Sequence, residues 1–328
     1  MKITHLKRNK TAAYFMLAIV MAAAIQPARG QTSAALLVKP WESDQVVEDK
    51  SRLMFFAGGH SQDTGAGFNM ATFETQGRVR ILPGNEASPR IGYDVTYLNT
   101  HNGQAGFPGQ LLDASVAAGT FLSQTNGWVT GLTLGVGYAG DTPFANGRAW
   151  YGRADFVLAK KFDEVDALGI GFDYDGHRTY MPDVPIPGFG WSHQLDPTLL
   201  MVIGVPVTSI TWKPDPRIRI YADYVLLTDF DLDVGYEVIK HWTVFGALET
   251  RDDAFYISSQ PGHHRLMYTQ RRAELGVRWE PAKFITVSLA GGYGFDTRFE
   301  SGWDYRKIKS VLHASPEPYV ALAVAVQF

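Results

Sequence analysis

Side chains of two kinds alternate along the last nine residues, and this alternation restricts the segment to one secondary structure. One parity carries bulky apolar side chains, namely Val320, Leu322, Val324, Val326 and Phe328, and the other carries three alanines and a glutamine. Successive side chains of a β-strand point to opposite faces, so the segment would present one bulky apolar face and one small or polar face. The sequence therefore predicts a C-terminal strand that lies against an apolar environment on one face only.

The same period of two recurs through the chain. Segments 73–81, 91–98, 128–138 and 273–279 each set apolar residues on one face against charged, polar or glycine residues on the other. A helix would scatter these residues around its circumference, so the pattern is typical of strands. About fourteen such segments can be counted, near 51–59, 70–82, 89–99, 110–122, 127–139, 148–159, 167–176, 198–212, 217–227, 231–240, 243–257, 265–279, 284–298 and 317–328.

Composition indicates where these strands fold. No stretch after the first thirty residues approaches 18 uninterrupted apolar residues, which excludes a helical membrane protein. Aromatic residues make up 13% of the chain and glycines number 33, which is high for a soluble enzyme. In hydrocarbon a closed barrel pairs every backbone polar group and needs only ~10 residues per crossing. We therefore expect an all-β fold, a single antiparallel transmembrane β-barrel of about 14 strands, with 12 to 16 allowed.

Short and long connections alternate between the predicted strands. Short links such as 83–85 alternate with longer ones such as 177–197. Outer-membrane barrels have short periplasmic turns and longer external loops, so this rhythm places both termini in the periplasm. The short link at 228–230 is an exception to this alternation, because it would lie on the external side. Pro206 is able to split the 198–212 segment into two strands. These two irregularities are the reason for the allowed range of strand numbers.

Tryptophans fall beside the short links. Trp128, Trp212, Trp242 and Trp279 have this position, where an amphipathic ring can occupy the interfacial layer of a membrane. These four tryptophans are predicted to form a ring of aromatic side chains, or girdle, at the periplasmic face of the membrane. Trp150 is predicted to belong to a second girdle at the external face. The alternative is that these rings belong to the core of a soluble sandwich.

The N-terminal residues have the features of an export signal. Basic residues precede an apolar stretch from Ala12 to Ile25, and small residues flank Arg29. About 14 apolar residues are too few for a helix that crosses a bilayer, which needs ~20. Cleavage near Gly30 would lower the basic count from 30 to 25 against 33 acidic residues, a formal charge of −8, and nothing indicates a nucleic-acid partner. The predicted divisions are a signal peptide over 1–30, a periplasmic N-terminal lead over 31–50 and the barrel over 51–328.

Charged side chains on the second face of the predicted strands would point into the barrel. In a hairpin of the 217–227 and 231–240 segments, Arg219 lies close to Glu237 as a cross-strand pair, and Arg78 is similarly expected near Asp94. Such walls either rigidify the barrel or line a selective aqueous path, and their mixed signs argue against strong ion selectivity. The predicted lumen-lining residues are Glu74, Arg78, Arg80, Asp94, Arg153, Asp155, Arg219, Asp223, Asp233, Glu237, Arg272, Glu274 and Arg278.

Two motifs contain residue types that bind metal ions. Three aspartates within 229–233 are similar to the start of a calcium loop, but Val234 takes the place of the glycine that the tight turn needs. On a strand these aspartates share a face with Glu237, and a loose external cation site is the alternative. The adjacent His263 and His264 lack nearby carboxylates, and the chain has no cysteine. We therefore expect neither a metal nor a cofactor.

A His-x-Ser arrangement precedes the last strand. His313 and Ser315, followed by Glu317, are similar to the site of outer-membrane lipid A deacylases. In that family the residues lie on barrel strands that face lipid, whereas Pro316 and Pro318 predict a loop here. The three residues are the catalytic candidates of the sequence, and we expect no enzymatic activity. The alternative is a barrel-embedded lipid hydrolase that uses His313 and Ser315.

The stretch from Tyr180 to Pro214 carries a Pro-x-Pro-Gly, a Gly-x-Pro-x-Thr-Ser and a Trp-x-Pro motif in that order. Together with the C-terminal Phe328, it resembles an uncharacterised family of bacterial outer-membrane β-barrel proteins, a resemblance that implies a Gram-negative outer membrane and no particular activity. Val324 and Val326 with the terminal Phe look like the assembly signal of such barrels. The prolines preset extended backbone, so the 177–197 loop is either an inward plug or an external cap.

These observations predict a non-enzymatic outer-membrane protein, pore-like or structural. Its expected partners are outer-membrane lipids, the outer-membrane assembly machinery and a small solute that the sequence does not identify. A secreted soluble β-sandwich that binds a ligand is the further alternative. It requires Phe73, Leu132 and Val324 to lie in a core between two sheets.

Overall fold

The computed structural model describes residues 31–38, 45–85, 87–102, 106–163, 165–225, 229–260, 262 and 264–328. A short helix, α1 (Ala35–Val38), and a 3-10 turn (Gly147–Ala149) accompany the strands. The strands are β1 (Val47–His60), β2 (Gly67–Arg80), β3 (Arg90–Asn102), β4 (Gln110–Thr125), β5 (Trp128–Gly140), β6 (Trp150–Lys161), β7 (Asp166–Asp175), β8 (Ile186–Asp196), β9 (Leu199–Val205), β10 (Val207–Asp215), β11 (Ile218–Val225), β12 (Asp229–Ile239), β13 (Trp242–Tyr256), β14 (Arg265–Ala282), β15 (Ile285–Gly302), β16 (Ile308–Ala314) and β17 (Glu317–Gln327).

The sheet closes on itself as an antiparallel barrel. Consecutive strands pair from β1 to β15, and β17 pairs with both β15 and β1. Strands β16 and β17 are successive halves of one strand, because β15 pairs Thr297 with Ala314 of β16 and Gly294 with Glu317 of β17. The barrel therefore has 16 strands, which confirms the predicted fold class and lies at the top of its range.

Two strands beyond the fourteen predicted segments account for this number. Strand β8 lies in the stretch expected to be the 177–197 loop; Pro187 faces Phe172 of β7 but lies beyond the last β8–β9 pair, Phe189 with Val205. A missing N–H there interrupts no ladder with β9. Pro206 divides the 198–212 segment into β9 and β10, as its sequence position allowed.

Side chains alternate between the outside and the inside of the barrel. Phe73 and Val324 are exposed on the outer surface, as is Leu275 at 73% exposure, and Leu132 is half-buried there. The neighbouring Arg78 is 0% exposed and points inward. This excludes the core position that a soluble sandwich requires for these apolar residues. Among the described residues, no helix is both long and apolar enough to span a membrane.

The first strand of the barrel begins and the last strand ends at the same end of the barrel, which we call the terminal end. The N–H groups of Val46 and Val47 donate to the carbonyl of Phe328 at 2.6 and 2.7 Å, which closes the seam between β17 and β1. Trp128, Trp242 and Trp279 lie at this end with their rings exposed, as does Trp212. Trp242 and Trp279 are cross-strand partners whose rings stack at 5.7 Å.

The barrel wall has very unequal heights at the opposite, loop end. Strands β14 and β15 have 18 residues each, whereas β9 has 7. At about 3.4 Å per residue these are about 60 Å and about 24 Å long. Strands of outer-membrane barrels tilt by about 35–45°, so both walls are lower than these strand lengths. The high wall, formed by β14 and β15, still extends well beyond the ~25 Å apolar band of such a barrel, and the low wall, formed by β9, does not.

Opposite walls meet at the loop end. Strands β5 and β13 stand eight positions apart around the barrel, yet Gly140 pairs with Tyr256. Asp141 continues this contact, because its carboxylate accepts hydrogen bonds from the N–H and hydroxyl of Ser258. Arg148 donates to the carbonyl of Gly262 at 2.9 Å. The contact divides the interior at this end into two lobes.

The lobe enclosed by β14–β17 and β1–β4 is filled by an apolar core. Its side chains come from both sides of the barrel seam, so this part of the interior is packed rather than hollow. The largest members include Phe56, Phe68, Leu98, Leu111, Phe255, Tyr268, Phe299 and Tyr319. The other lobe is polar, and residues of β3, β4 and β13 line it together with residues of β6–β12.

Residues 31–38, which we call the inner segment, lie inside the barrel against β3, β4 and β5. Gln31, Thr32 and Leu37 are each at most 4% exposed, and Leu37 packs on β5 and β6. This position differs from the predicted periplasmic lead over 31–50, and β1 begins at Val47 rather than at residue 51. The difference arises because the inner face of β3–β5 is lined by glycines, which leave room for another chain segment.

Candidate functional site

Three cavities lined by described residues follow one another along the polar part of the barrel interior. The loop-end chamber, of about 110 Å³, shares Asp94 and Arg251 with a middle cavity of about 110 Å³. The middle cavity shares Arg52 and Glu249 with a terminal-end cavity of about 540 Å³. Each boundary is thus formed by charged side chains, and the three cavities follow one polar route between the two ends.

A charge network separates the cavities. Arg52 on β1 contacts Glu249 on β13 at 2.8 Å and also pairs with Glu274 on β14. Arg272 on β14 pairs with Glu249 and approaches Glu74 on β2 at 3.5 Å. The Arg272–Glu249 pair joins adjacent strands, whereas the Arg52 pairs and the Arg272–Glu74 contact join strands that are not neighbours in the barrel. They satisfy buried charges that would otherwise be costly.

Strand register explains how the network assembles. Glu249 lies directly opposite Arg272 in the β13–β14 ladder, and Ala247 lies opposite Glu274, so alternate positions of both strands place charges on the inner face. Tyr319 of β17 donates its hydroxyl to Glu274 at 3.0 Å. The small Ala247 leaves the space that the terminal-end cavity occupies.

Arg251 is the boundary between the loop-end chamber and the middle cavity. Its Nε lies 3.1 Å from Asp253 and 3.7 Å from Glu74, and its Nη2 donates to Thr96 Oγ1 on the opposite wall. A guanidinium held by three partners is fixed in orientation. The side chain therefore narrows the route at a defined point.

The terminal-end cavity has a balanced charge. Six basic and six acidic side chains line it, so it favours neither sign of solute. Arg278 binds Asp233 on β12, with one N–O distance of 2.9 Å, and its guanidinium lies 3.8 Å from the centre of the Phe245 ring. The basic residues are Lys50, Arg52, Lys213, Arg217, Arg219 and Arg278, and the acidic ones are Asp231, Asp233, Glu237, Glu249, Glu274 and Glu280.

The loop-end chamber is acidic. Seven aspartates line it against three arginines and one histidine: Asp94, Asp113, Asp173, Asp175, Asp229, Asp252 and Asp253 against Arg153, Arg178, Arg251 and His177. Tyr305, in the loop above, donates to Asp252 at 2.8 Å. Burial and the Asp252 carboxylate raise the pKa of Tyr305, which keeps its hydroxyl a neutral donor. The excess of carboxylates favours cations at this end of the route.

Most residues predicted to line the lumen face these cavities. Arg78, Arg80, Asp155 and Asp223 are at most 5% exposed and line none of these three cavities. The predicted residues that line a described cavity are Glu74, Asp94, Arg153, Arg219, Asp233, Glu237, Arg272, Glu274 and Arg278.

The two predicted charge pairs have other geometries. Arg78 lies opposite Gly92 rather than Asp94, and its guanidinium binds Glu48 on β1 at 2.6 Å, so the Arg78–Asp94 pair is wrong. Arg219 faces Gly235, one position along the inner face from Glu237, and both residues line the terminal-end cavity.

Several site residues were not singled out from the sequence, among them Arg52, Asp113, His177 and Arg251. Arg251 lies within the predicted 243–257 strand and shares the parity of its inward residues. The alternation of side chains along this strand therefore predicts that Arg251 points into the barrel. His177 lies after β7 and belongs to no alternating pattern.

The catalytic candidates at the last strand do not form the arrangement that a hydrolase would need. Ser315 Oγ contacts Nδ1 of His60 at 3.0 Å, while His313 instead approaches Asp296 at 3.7 Å. Glu317 is 0% exposed, and within the described chain neither of its carboxylate oxygens has a hydrogen-bond partner. His313 therefore does not contact Ser315 as a base would contact its nucleophile; Ser315 contacts His60 instead.

The two motifs with metal-binding residue types lie on strand β12 and in the loop before β14. Asp229, Asp231 and Asp233 lie on strand β12 and share its inner face with Glu237, as predicted for a strand. His264 is exposed, and His263 lies outside the described residues.

The chain matches no protein-family model, and it matches no curated protein. Among solved structures it is similar to a TodX monoaromatic hydrocarbon channel deltaS2 mutant, with a TM-score of 0.43, 11% identity, and coverage of 97% of this chain and 99% of that one. It is also similar to an outer membrane channel from Pseudomonas putida F1 (TM-score 0.38, 9% identity, 92% and 100% covered). A Pseudomonas aeruginosa FadL homologue gives a TM-score of 0.38 at 10% identity, with 96% and 97% covered. Likeness at these scores carries no information about solute or mechanism.

Proposed function

We propose that this protein is an outer-membrane channel that passes small polar solutes through a constricted, charge-lined route and performs no enzymatic reaction. The observation that carries the proposal is the succession of three polar cavities whose boundaries share charged residues. A purely structural barrel gains nothing from a polar cavity of about 540 Å³ at one end, because packing it with apolar side chains would stabilise the fold.

The route is controlled by side chains rather than by an open bore. A solute that enters the acidic loop-end chamber meets Arg251, then Arg52 and its glutamate partners, and then the wider terminal-end cavity. Each guanidinium can release a carboxylate partner and bind a polar group of the solute in its place. These hydrogen bonds then replace the water molecules that the solute loses on entering the route. The mixed signs predict weak selectivity, with a modest preference for cations set by the loop-end chamber.

The outer surface supports the proposed location. Apolar side chains face outward from both the low and the high wall, and exposed tryptophans mark the terminal end, which we assign to the periplasm. In this proposal residues 1–30 are an export signal, the β17 end with Val324, Val326 and Phe328 is read by the outer-membrane assembly machinery, and outer-membrane lipids cover the barrel. N-terminal sequencing of protein from an outer-membrane fraction tests the signal, with Gln31 expected first.

Planar-bilayer recording with refolded full-length protein tests the channel. Arg251→Ser joins the loop-end chamber to the middle cavity, so we expect conductance in KCl to rise at least twofold over that of the unmodified protein. Arg271→Ser is the matched control on β14, because the Arg271 side chain is 54% exposed and contacts Asp296 away from the route. Silence of both the unmodified protein and the Arg251→Ser variant would contradict a channel and favour a structural barrel.

The absence of enzymatic chemistry is tested separately. Ser315→Ala removes the hydroxyl that contacts His60. We expect cells that carry this variant to have an unchanged outer-membrane lipid composition. Loss of a deacylated lipid species in the variant would support the lipid hydrolase instead.

A further inference from the structure

Three potential metal ligands from separate elements converge in the loop-end chamber. Asp113 lies on β4, His177 follows β7, and Asp253 lies on β13, and one ligand atom of each lies within 4.8 Å of the others. His177 Nε2 is 3.3 Å from Asp113 Oδ2. Ligands bound to zinc at about 2.0–2.1 Å in a tetrahedron lie about 3.3 Å apart, so this pair already has the spacing of two zinc ligands.

The histidine nitrogen at this point is buried without a hydrogen bond. His177 is 9% exposed, and in the described chain its Nε2 has no hydrogen-bond partner. The ring is fixed, because it stacks on Tyr151 at 4.7 Å and meets the edge of Phe255 at 6.3 Å. A fixed imidazole whose Nε2 lies 3.3 Å from one carboxylate oxygen, with a second carboxylate close by, is a ready ligand.

The carboxylates are oriented by neighbours in the way that metal ligands usually are. The Tyr151 hydroxyl donates to Asp113 Oδ1 at 2.7 Å, which directs Oδ2 toward the histidine. Arg251 Nε donates to Asp253 Oδ2 at 3.1 Å. Such outer partners fix the orientation of ligating groups and raise affinity for the ion.

We infer that the loop-end chamber binds one divalent transition-metal ion of the zinc class through Asp113, His177 and Asp253. An imidazole with two carboxylates suits zinc better than magnesium or calcium, which prefer oxygen ligands alone. The excess of aspartates in the chamber adds a favourable field for a divalent cation.

The ion would act as a brace between opposite walls. Its ligands connect β4 and β13, which approach each other beside the β5–β13 contact, and the segment after β7. That segment is already held by the fully buried Arg265 of β14, which donates to the carbonyls of His177 and Arg178 at 2.9 Å. Metal binding would lock the loop end of the barrel, a property that goes beyond the proposed passage of solutes.

The test is calorimetric titration of chelator-treated, detergent-solubilised full-length protein with zinc chloride alone. One equivalent is expected to bind, and His177→Ala and Asp113→Asn are expected to abolish saturable binding. His193→Ala is the matched control, since His193 pairs with a single carboxylate, Asp166, at 2.8 Å on β7. Binding does not depend on conductance, so this result is distinguishable from failure of the channel proposal.

Tyr151→Phe removes only the hydroxyl that orients Asp113. We expect it to keep the heat-modifiable electrophoretic mobility of a folded barrel and to bind zinc about 10- to 100-fold more weakly. It therefore keeps the proposal testable if a ligand variant fails to fold. An unmodified protein without saturable zinc binding, or equal binding by the His177→Ala variant, would overturn the inference.

Discussion

The two long walls of the barrel interior are built on opposite plans. On β3–β5, which we call the small-residue wall, glycines line the part of the inner face where the inner segment packs, and Gly92, Gly119 and Gly131 contact that segment. On β10–β14 the inner face carries long charged side chains, and a cavity of about 540 Å³ lies in front of them. Both walls show the same apolar exterior.

The difference shows that side-chain size, and not strand number alone, decides what a barrel of this width contains. Small residues let a second piece of backbone approach the wall: a Cβ atom on Gly92 would lie 1.7 Å from the carbonyl oxygen of Gln31. Long charged residues instead reach partners across the lumen and leave spaces between them that water is able to occupy. The β3–β5 wall therefore packs against the inner segment, and the β10–β14 wall lines the terminal-end cavity.

The charges on the β10–β14 wall depend most on Arg52, a buried arginine of β1 that contacts two of its glutamates. Arg52→Ala leaves Glu249 and Glu274 without a cation that both now contact. Removing one partner of a buried pair costs about 3–5 kcal/mol, so the urea midpoint of the refolded protein should fall markedly. Arg219→Ala, at an exposed lumen position, should cost less than about 1 kcal/mol. Equal effects of the two variants would show that the network is not a buried one.

The outer faces of the two walls should respond alike, however different their inner faces are. Leu275→Arg on β14 and Leu134→Arg on β5 each place a charge at a lipid-facing position, which costs about 2–4 kcal/mol near the membrane midplane. Urea unfolding of the protein in vesicles measures both. A neutral effect at either position would mean that this face contacts water.

The small-residue wall is tested by adding a single methyl group. Gly92→Ala should destabilise the barrel by about 1–3 kcal/mol, because backbone of the inner segment must move. Gly291→Ala is the control, since nothing lies within 4 Å of its added Cβ atom. Deletion of residues 31–38 should remove the penalty of Gly92→Ala. A penalty that persists in the deleted protein would contradict the account of this wall.

The girdle should give the smallest effect. Trp279→Ala removes one ring of the stacked pair with Trp242, an aromatic contact of about 0.5–1.5 kcal/mol beyond the area it buries. Trp128→Ala, on the small-residue wall, removes a ring that lies beside Lys160 and should have a loss of similar size. Unfolding monitored by circular dichroism measures both losses, and a loss above about 4 kcal/mol at either site would indicate a core residue rather than an interfacial one.

The barrel could be predicted because its cause is local. The period of two in β12 was sufficient to place Asp233 inside and Val234 outside. Strand β8 was missed because Pro187 indicates a loop unless the end of the neighbouring β9 is known. The contacts of the 31–38 segment could not be predicted, because they are with glycines that are distant in sequence.

The charge pairs could not be predicted for the same reason. Arg78 and Glu48 are cross-strand partners on neighbouring strands, which follows only once β1 is known to begin at Val47, and Arg52 reaches Glu249 across the interior only once the barrel has closed. The glycines on the inner face of β3–β5 did carry a signal for a packed segment. Nothing in the sequence specified which segment would pack there.

Cysteine accessibility along β12 tests the central claim most directly, because the chain has no cysteine of its own. Single Asp233→Cys and Glu237→Cys variants in membranes should react with a water-soluble, membrane-impermeant maleimide. Val234→Cys and Val238→Cys should react only with a lipid-soluble one. Reaction of all four positions with the water-soluble reagent, or shielding of positions 234 and 238 from both reagents, would contradict a membrane barrel with a polar interior.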